Sequence, residues 1–312
     1  MSGEEIRNLI PKQCLEEFDG IVSGRILGAS RHIKMIFGMI KAMTLENKDS
    51  SELRRNIQKV IQYFKDTRGQ SSYAVVNALN QMEAMSAESG CSTYPESIRN
   101  SINSYFSEEE KKLQRILKYS RNVLKSCTTV MVYDYSSTVE KAIVNSGRKL
   151  NVIIPESRVI NGGCPFVRPF LNAGHKIQFI PDAAMLTVLD KCDAVFIGAE
   201  TFYPDGTAFN TCGSDILAEL CHMHRVPYYV ITPLLKIDPR AQFGIYKKQI
   251  IHDMKSVMAD GWEDALSQDV DFRIVELTQI DPDLITFYIT EEGIIRPSGI
   301  SGLVLEETDH AR

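Results

Sequence analysis

The 312-residue chain carries 35 Lys and Arg against 40 Asp and Glu, a net charge of −5 that gives no general attraction to nucleic acid or to an anionic membrane. Hydrophobic residues make up 44% and charged residues 24%, the balance of a globular protein long enough for one large domain or two of ordinary size. Seven cysteines, none in a CxxC pair, argue against a zinc ribbon or a disulfide framework and for reduced thiols in a cytoplasm. The start, MSGEEIRNLIPKQ, does not read as a signal peptide, and no apolar run reaches membrane-spanning length, so a cytoplasmic protein without a membrane is expected.

Along the chain, apolar residues first recur at helical spacing: Ile33, Ile36, Ile40 and Met43, then Ile57, Val60, Ile61 and Phe64, then Leu113, Ile116, Leu117 and Leu124. Ser107 with Glu110 fits a capping box opening the last of these helices. Between the helices lies Arg68-Gly69-Gln70-Ser71-Ser72, where an Arg beside hydroxyls at a helix start suits either an anion or a plain junction. The character changes near residue 120. Short apolar runs follow at Val130–Val132, Val152–Ile154, Ile177–Ile180, Val195–Ile197 and Tyr229–Ile231, with a last run at Ile285–Thr290. Helical stretches between several of them end at Gly147 and Gly174. The pattern predicts an α/β chain: a helical domain over 1–122, then a Rossmann-like parallel-sheet domain over 123–312.

The stretch from Asp193 to Asp238 carries most of the chemistry. A strand ends in Gly198-Ala199 and is followed at once by Glu200; a Pro204-Asp205-Gly206 turn comes next, then Asn210, Gly213 and Ser214 lead into an amphipathic helix, and a second strand closes a βαβ unit. Ser214 reads as an N-cap, and a helix start with free N–H groups can hold a phosphate. In open parallel sheets the ligand crevice lies beyond the carboxyl ends of the strands. Two further strand ends lead there. The first supplies Tyr133, Asp134, Tyr135, Ser136 and Ser137. The second supplies Glu156, Ser157 and Arg158 before Gly162-Gly163. Arg158 suits a phosphate oxygen or an ion pair with Glu156. Asp134 and Glu200 can form a carboxylate pair in which repulsion raises one pKa. Cys164 and Cys212 are alternative thiols. His222 and His224 lack the spacing of a metal site, and His175 and His252 read as surface residues, so neither a metal nor a cofactor is expected.

The run GAE…DG…N-x-x-G-S…P-x-Y-V…P-x-x-K-x-D, the triplet Glu156-Ser157-Arg158 and the closing Thr290-Glu291-Glu292-Gly293-Ile294-Ile295-Arg296-Pro297 resemble one superfamily. It holds the regulatory subunits of eukaryotic translation initiation factor 2B together with isomerases of methylthioribose 1-phosphate and ribose 1,5-bisphosphate. The resemblance implies a helical domain before a Rossmann-like domain, a homodimer, and a phosphorylated sugar or nucleotide as ligand. It also implies phosphate-gripping roles for Arg68, Arg158, Asn210, Gly213 and Ser214, with Gly69, Ser136, Gly163 and Lys236 as further ligand-binding residues. The isomerases are expected to carry a His-Cys pair at the first strand end, an Asp after Gly-Ala, and a Lys between the Asn and the Gly. This chain has Tyr133, Asp134, Glu200 and Thr211 there. Two expectations follow. The first is an initiation factor 2B alpha-like binding protein in a sensor or assembly role. The alternative is a pentose 1-phosphate isomerase with Asp134 and Glu200 in place of the usual Cys and Asp.

Overall fold

Helix formation in the first third follows the apolar stripes. The computed structural model describes residues 2–26, 28–46, 51–88, 90 and 93–303. Its main helices there are α1 (Gly3–Arg7), α2 (Leu15–Val22), α3 (Ala29–Glu46), α4 (Ser51–Ser71), α5 (Tyr73–Glu88) and α6 (Tyr94–Leu124). Their stripes close on one core in which Phe18, Ile36, Phe37, Ile57, Phe64 and Leu79 are almost fully buried. The capping box expected at Ser107 does not open a helix: α6 runs unbroken from Tyr94, so Ser107 lies in mid-helix. Ion pairs at i,i+3, Lys111–Glu108 at 2.6 Å and Lys112–Glu109 at 2.9 Å, support the helix through this charged run instead.

Twelve strands follow α6 among the described residues, including all six expected from the apolar runs. They are β1 (Thr129–Tyr133), β2 (Asn151–Pro155), β3 (Lys176–Ile180), β4 (Ala194–Ile197), β5 (Thr201–Phe202), β6 (Ala208–Thr211), β7 (Tyr228–Ile231), β8 (Ile251–Asp253), β9 (Arg273–Val275), β10 (Leu277–Ile280), β11 (Phe287–Thr290) and β12 (Gly293–Ile295). Between them run α7 (Ser137–Val144), α8 (Cys164–Asn172), α9 (Met185–Leu189) and α10 (Ser214–His224). Seven strands make one sheet in the order β12-β11-β7-β4-β1-β2-β3, parallel except for the β11–β12 hairpin. Its core holds Val130, Val132, Ile154, Phe166, Phe170 and Phe196. The chain is thus α/β, with helices first and a mainly parallel sheet after them.

Two features went beyond the sequence expectation. Strands β5 and β6, inside the crossover from β4 to β7, form a separate antiparallel sheet with β10, which comes between β7 and β11 in the chain. His175, expected on the surface, is 4% exposed. Its Nδ1 accepts from the Leu150 N–H at 3.1 Å, which leaves Nε2–H to donate to the Ile143 carbonyl at 3.2 Å. Burial lowers its pKa, so it acts as a neutral tie between backbone segments.

Residues cluster into two compact units. One comprises Met1–Lys112 with Leu235–Asp238, the other Leu113–Leu234 with Pro239–Arg312. In the first, Asn77 Nδ2 donates to the carbonyls of Leu235 and Ile237 at 2.9 Å each. Gly69 there has a packing reason: a Cβ would come within 2.4 Å of Val76 Cγ2 on α5. Gly38, exposed in mid-α3, has open space where a Cβ would go. Gly38→Ala should therefore raise stability by about 0.5–1 kcal/mol. Gly69→Ala should lower it by about 1–3 kcal/mol despite the same gain in helix propensity. Urea denaturation of the two variants checks the pair.

Candidate functional site

The order of the sheet decides where a ligand crevice opens. The chain lays down β1, β2 and β3 in one direction, then returns to the other side of β1 for β4, β7 and β11. That reversal between β1 and β4 is the topological switch point, where crossovers diverge and leave the strand ends uncovered. Tyr133 pairs with Ile197 across it, so Asp134 and Gly198 are the next residues on either side. The first acid thus follows β1 directly and the second, Glu200, follows β4 by three residues.

Asp134 is 6% exposed and adopts φ +57°, a left-handed conformation that costs a non-glycine residue roughly 1–2 kcal/mol. Thr211 Oγ1 donates to its Oδ2 at 2.8 Å and Ser157 Oγ donates to Oδ1 at 3.4 Å. The Tyr135 backbone N–H also donates to it. These donors favour the carboxylate, yet burial outweighs them and pushes the pKa up to about 6, with Glu200 adding a smaller upward push. Burial, rather than the repulsion within a carboxylate pair that the sequence suggested, is the main cause of the upward shift.

The loop after β2 wraps the same carboxyl. Ser157 (φ +50°) and Asn161 (φ +54°) are also left-handed; among the described non-glycine residues the only other such case is Arg225, at the C-cap of α10. Gly162 approaches so closely that a Cβ would sit 2.0 Å from Asp134 Oδ1. Gly163 is the N-cap of α8, and its missing Cβ leaves room for the Pro155 carbonyl. Arg158 is exposed, and its guanidinium lies 3.5 Å from both Glu156 Oε2 and the Val257 carbonyl.

Across the switch point, Asn210 Nδ2 donates to Ser214 Oγ at 3.0 Å, and both side chains are buried. Ser214 is not the N-cap: Gly213 is, with φ +101°. The reason is Tyr133, whose hydroxyl donates to the Cys212 carbonyl at 2.8 Å and fills the space a Gly213 Cβ would need. Ser136 caps α7, its Oγ accepting from the Val139 N–H at 3.4 Å. Cys212 is partly buried, and burial, Asp215 and Asp182 all raise its pKa, which keeps it a thiol; Cys164 is exposed at the start of α8.

The structure thus brings Asp134, Ser157, Gly162 and Thr211 together, with Glu200 near enough to act on Asp134. Arg68, Gly69 and Lys236 belong to the other compact unit. Arg68 lies in the last turn of α4, not at a helix start, with Nη2 3.4 Å from His32 Nδ1. Sequence reasoning missed Asp182, which follows β3 and accepts from two backbone N–H groups of the β2 loop. An acid just past the end of a parallel strand was the available signal. Among the described residues no group of His, Cys, Asp and Glu could hold a metal, and no helix is long and apolar enough to cross a membrane.

A model of the Initiation factor 2 subunit family matches residues 28–297. The chain belongs to that family. It is 25% identical over 304 residues to a ribose 1,5-bisphosphate isomerase of Archaeoglobus fulgidus, covering 96% of this chain and 95% of that one. It is 26% identical over 303 residues to a methylthioribose-1-phosphate isomerase of Pseudothermotoga lettingae, covering 89% and 84%. Solved structures share the fold. The 5-methylthioribose 1-phosphate isomerase of Pyrococcus horikoshii has a TM-score of 0.75 at 19% identity, over 97% of this chain and 92% of that one. A translation initiation factor eIF-2B from the same organism has a TM-score of 0.71 at 21% identity, over 92% and 98%. Both sequence relatives named here are sugar-phosphate isomerases, which backs the isomerase alternative better than the initiation-factor expectation.

The Asp134 pKa carries a stability consequence. A carboxyl raised from 3.8 to about 6 favours the folded state when protonated. That contribution is complete below the unfolded pKa and is lost as pH rises through about 6, a span of about 3 kcal/mol. Asp134→Asn should therefore be more stable than the parent at pH 8, by up to about 3 kcal/mol, with the difference vanishing near pH 4. Denaturant unfolding of both proteins at the two pH values checks this.

Proposed function

We propose that the chain is an intramolecular sugar-phosphate isomerase acting on a pentose that carries a phosphate on C1. The observation behind this reading is the Asp134 carboxyl, raised to about 6 at the switch point, with Glu200 acting on it from the neighbouring strand end. Converting an aldose phosphate to its ketose moves one hydrogen from C2 to C1, and one group must give a proton while another takes one. Asp134, partly protonated near neutral pH, fits the donor. Glu200, half-buried, fits the acceptor. Across one turnover one proton leaves Asp134 and one arrives on Glu200, and exchange with water restores both.

For the phosphate, the start of α10 at Ser214, with Asn210 beside it, offers oriented N–H groups, while the Gly213 N–H already donates to Asp215 Oδ1 at 3.1 Å. Arg158 supplies a guanidinium, and Ser136 and Gly163 flank the same strand ends. Ligand roles for Arg68, Gly69 and Lys236 rest on the family likeness alone, as does a homodimer. The initiation-factor reading keeps two features in its favour: Tyr135-Ser136 after β1 and Gly198-Ala199-Glu200 after β4, sequences like those of the non-catalytic alpha subunits. In that case the site binds a sugar phosphate or nucleotide without turning it over.

Ribose 1,5-bisphosphate and methylthioribose 1-phosphate are the substrates to assay, with ketose product as the readout. Asp134→Asn and Glu200→Gln should each lower kcat by about 100-fold or more, while Cys164→Ser and Cys212→Ser stay within about three-fold. Activity lost only in the cysteine variants would contradict the carboxylate mechanism. Saturable binding without turnover would favour the initiation-factor reading. Light scattering at micromolar concentration should give a dimer mass.

A further inference from the structure

Asp182 does something that neither the family likeness nor the acid pair accounts for. It follows β3, two residues beyond Ile180 and outside the switch point. Its Oδ1 accepts from the Ser157 N–H at 2.8 Å and its Oδ2 from the Arg158 N–H at 2.9 Å. Both carboxylate oxygens thus close on consecutive backbone donors of a loop 24–25 residues earlier in the chain. Charge-assisted bonds to backbone N–H groups are among the stronger ones available to a side chain. They fall on the residue that most needs holding: Ser157 is fully buried, left-handed, and the donor to Asp134 Oδ1. The Ser157 carbonyl then accepts from the N–H groups of Ile160 at 3.3 Å and Gly162 at 3.1 Å, which brings Gly162 against the same Asp134 oxygen.

We propose that Asp182 is the positioning residue of this site: by fastening the β2 loop it keeps Ser157 and Gly162 folded over the Asp134 carboxyl and keeps water from it. The role rests on the reading of Asp134 as the reacting acid, but its physical content is the enclosure of one carboxyl and is measured without any substrate. Cutting both bonds releases the loop. Burial is the largest influence on Asp134, so its exposure returns the group toward ordinary acidity. Among the charged and titratable groups on the segments that meet there, Glu200 after β4 and Tyr133 on β1 interact with Asp134 by charge, while Asp182 after β3, Cys212 beyond β6, and Glu156 and Arg158 on the β2 loop belong to the neighbouring segments. Glu200 raises the Asp134 pKa through its charge. Asp182 bears by charge on Tyr133 and Cys212, so its removal acts on Asp134 chiefly through the loop.

Side-chain carboxyl carbon NMR across pH 3–9, with Asp134 assigned by its absence in Asp134→Asn, reads the effect directly. In the parent, Asp134 should titrate near 6. In Asp182→Ala its midpoint should fall toward about 4, the ordinary range. Asp182→Asn keeps one acceptor oxygen for the loop and should lie between. Ser157→Ala removes the hydroxyl but leaves Asp182 its backbone partners, and should keep the midpoint at or above that of the parent. If turnover is found, Asp182→Ala should shift the alkaline limb of its pH profile, which reports the protonated Asp134 donor, to lower pH with the NMR midpoint and lower kcat about ten-fold or more, with KM within about three-fold. A midpoint in folded Asp182→Ala or Asp182→Asn equal to the parent's would overturn the proposal and leave Asp182 a simple loop tie. Absence of turnover in every protein, with the NMR shift present, would overturn the isomerase reading and leave the positioning role standing.

Discussion

One buried carboxyl organises the sheet unit's functional face. Asp134 sits where β1 meets the switch point, and taking an ionised carboxylate out of water costs several kcal/mol that hydrogen bonds offset only in part. The surroundings show that cost being partly met. A threonine from β6, a serine from the β2 loop and a backbone N–H all donate to it. The remainder appears as a carboxyl raised to about 6. A structure selected for stability alone would place Asn or Ser there. Burial at the mouth of a crevice, combined with left-handed backbone at Asp134, Ser157 and Asn161, is a local violation of ordinary design rules of the kind that functional sites carry.

The elements around it follow from that enclosure. Gly162 is glycine because Asp134 Oδ1 occupies the place of a Cβ, and Gly213 because Tyr133 does. Gly198 passes against Ser136, where a Cβ would lie 2.6 Å from the serine side chain. Tyr133 ties β1 to the loop before α10, and Asn210 ties β6 to the first residue of that helix. Each contact joins a different strand end, so a change at one alters the shape of the whole crevice. The β11 segment belongs to the same framework. Ile289 is buried within this chain, because β11 lies between β7 and β12 and not at the sheet edge.

Much of this was legible because parallel strands buried on both faces read as short apolar runs, and all six expected runs became strands. The acids at the ends of β1 and β4 were legible for the same reason: a strand end in such a sheet is a fixed position relative to the crevice. What escaped was set by partners distant in sequence. Strands β5 and β6 are two and four residues long and are completed by β10 some seventy residues on, a pairing no local periodicity announces. Ser107 matched a capping box, but α6 had formed a dozen residues earlier, and a local signal does not restart a helix already propagating. His175 looked like surface because polar residues usually are; two backbone bonds make its burial acceptable. The role of Asp182 needed the three-dimensional fact that β3 lies beside β2.

Central to the account is that the Asp134–Glu200 switch point is where a sugar phosphate reacts. A crystal structure of the protein soaked with ribulose 1,5-bisphosphate, the ketose that isomerisation of ribose 1,5-bisphosphate yields, tests that most directly. The account predicts the C1–C2 end of the sugar within about 3.5 Å of carboxyl oxygens of both Asp134 and Glu200, with a phosphate at the start of α10. A sugar phosphate bound with those two carbons well beyond the reach of either carboxyl, or bound away from the β1 and β4 strand ends altogether, would contradict it.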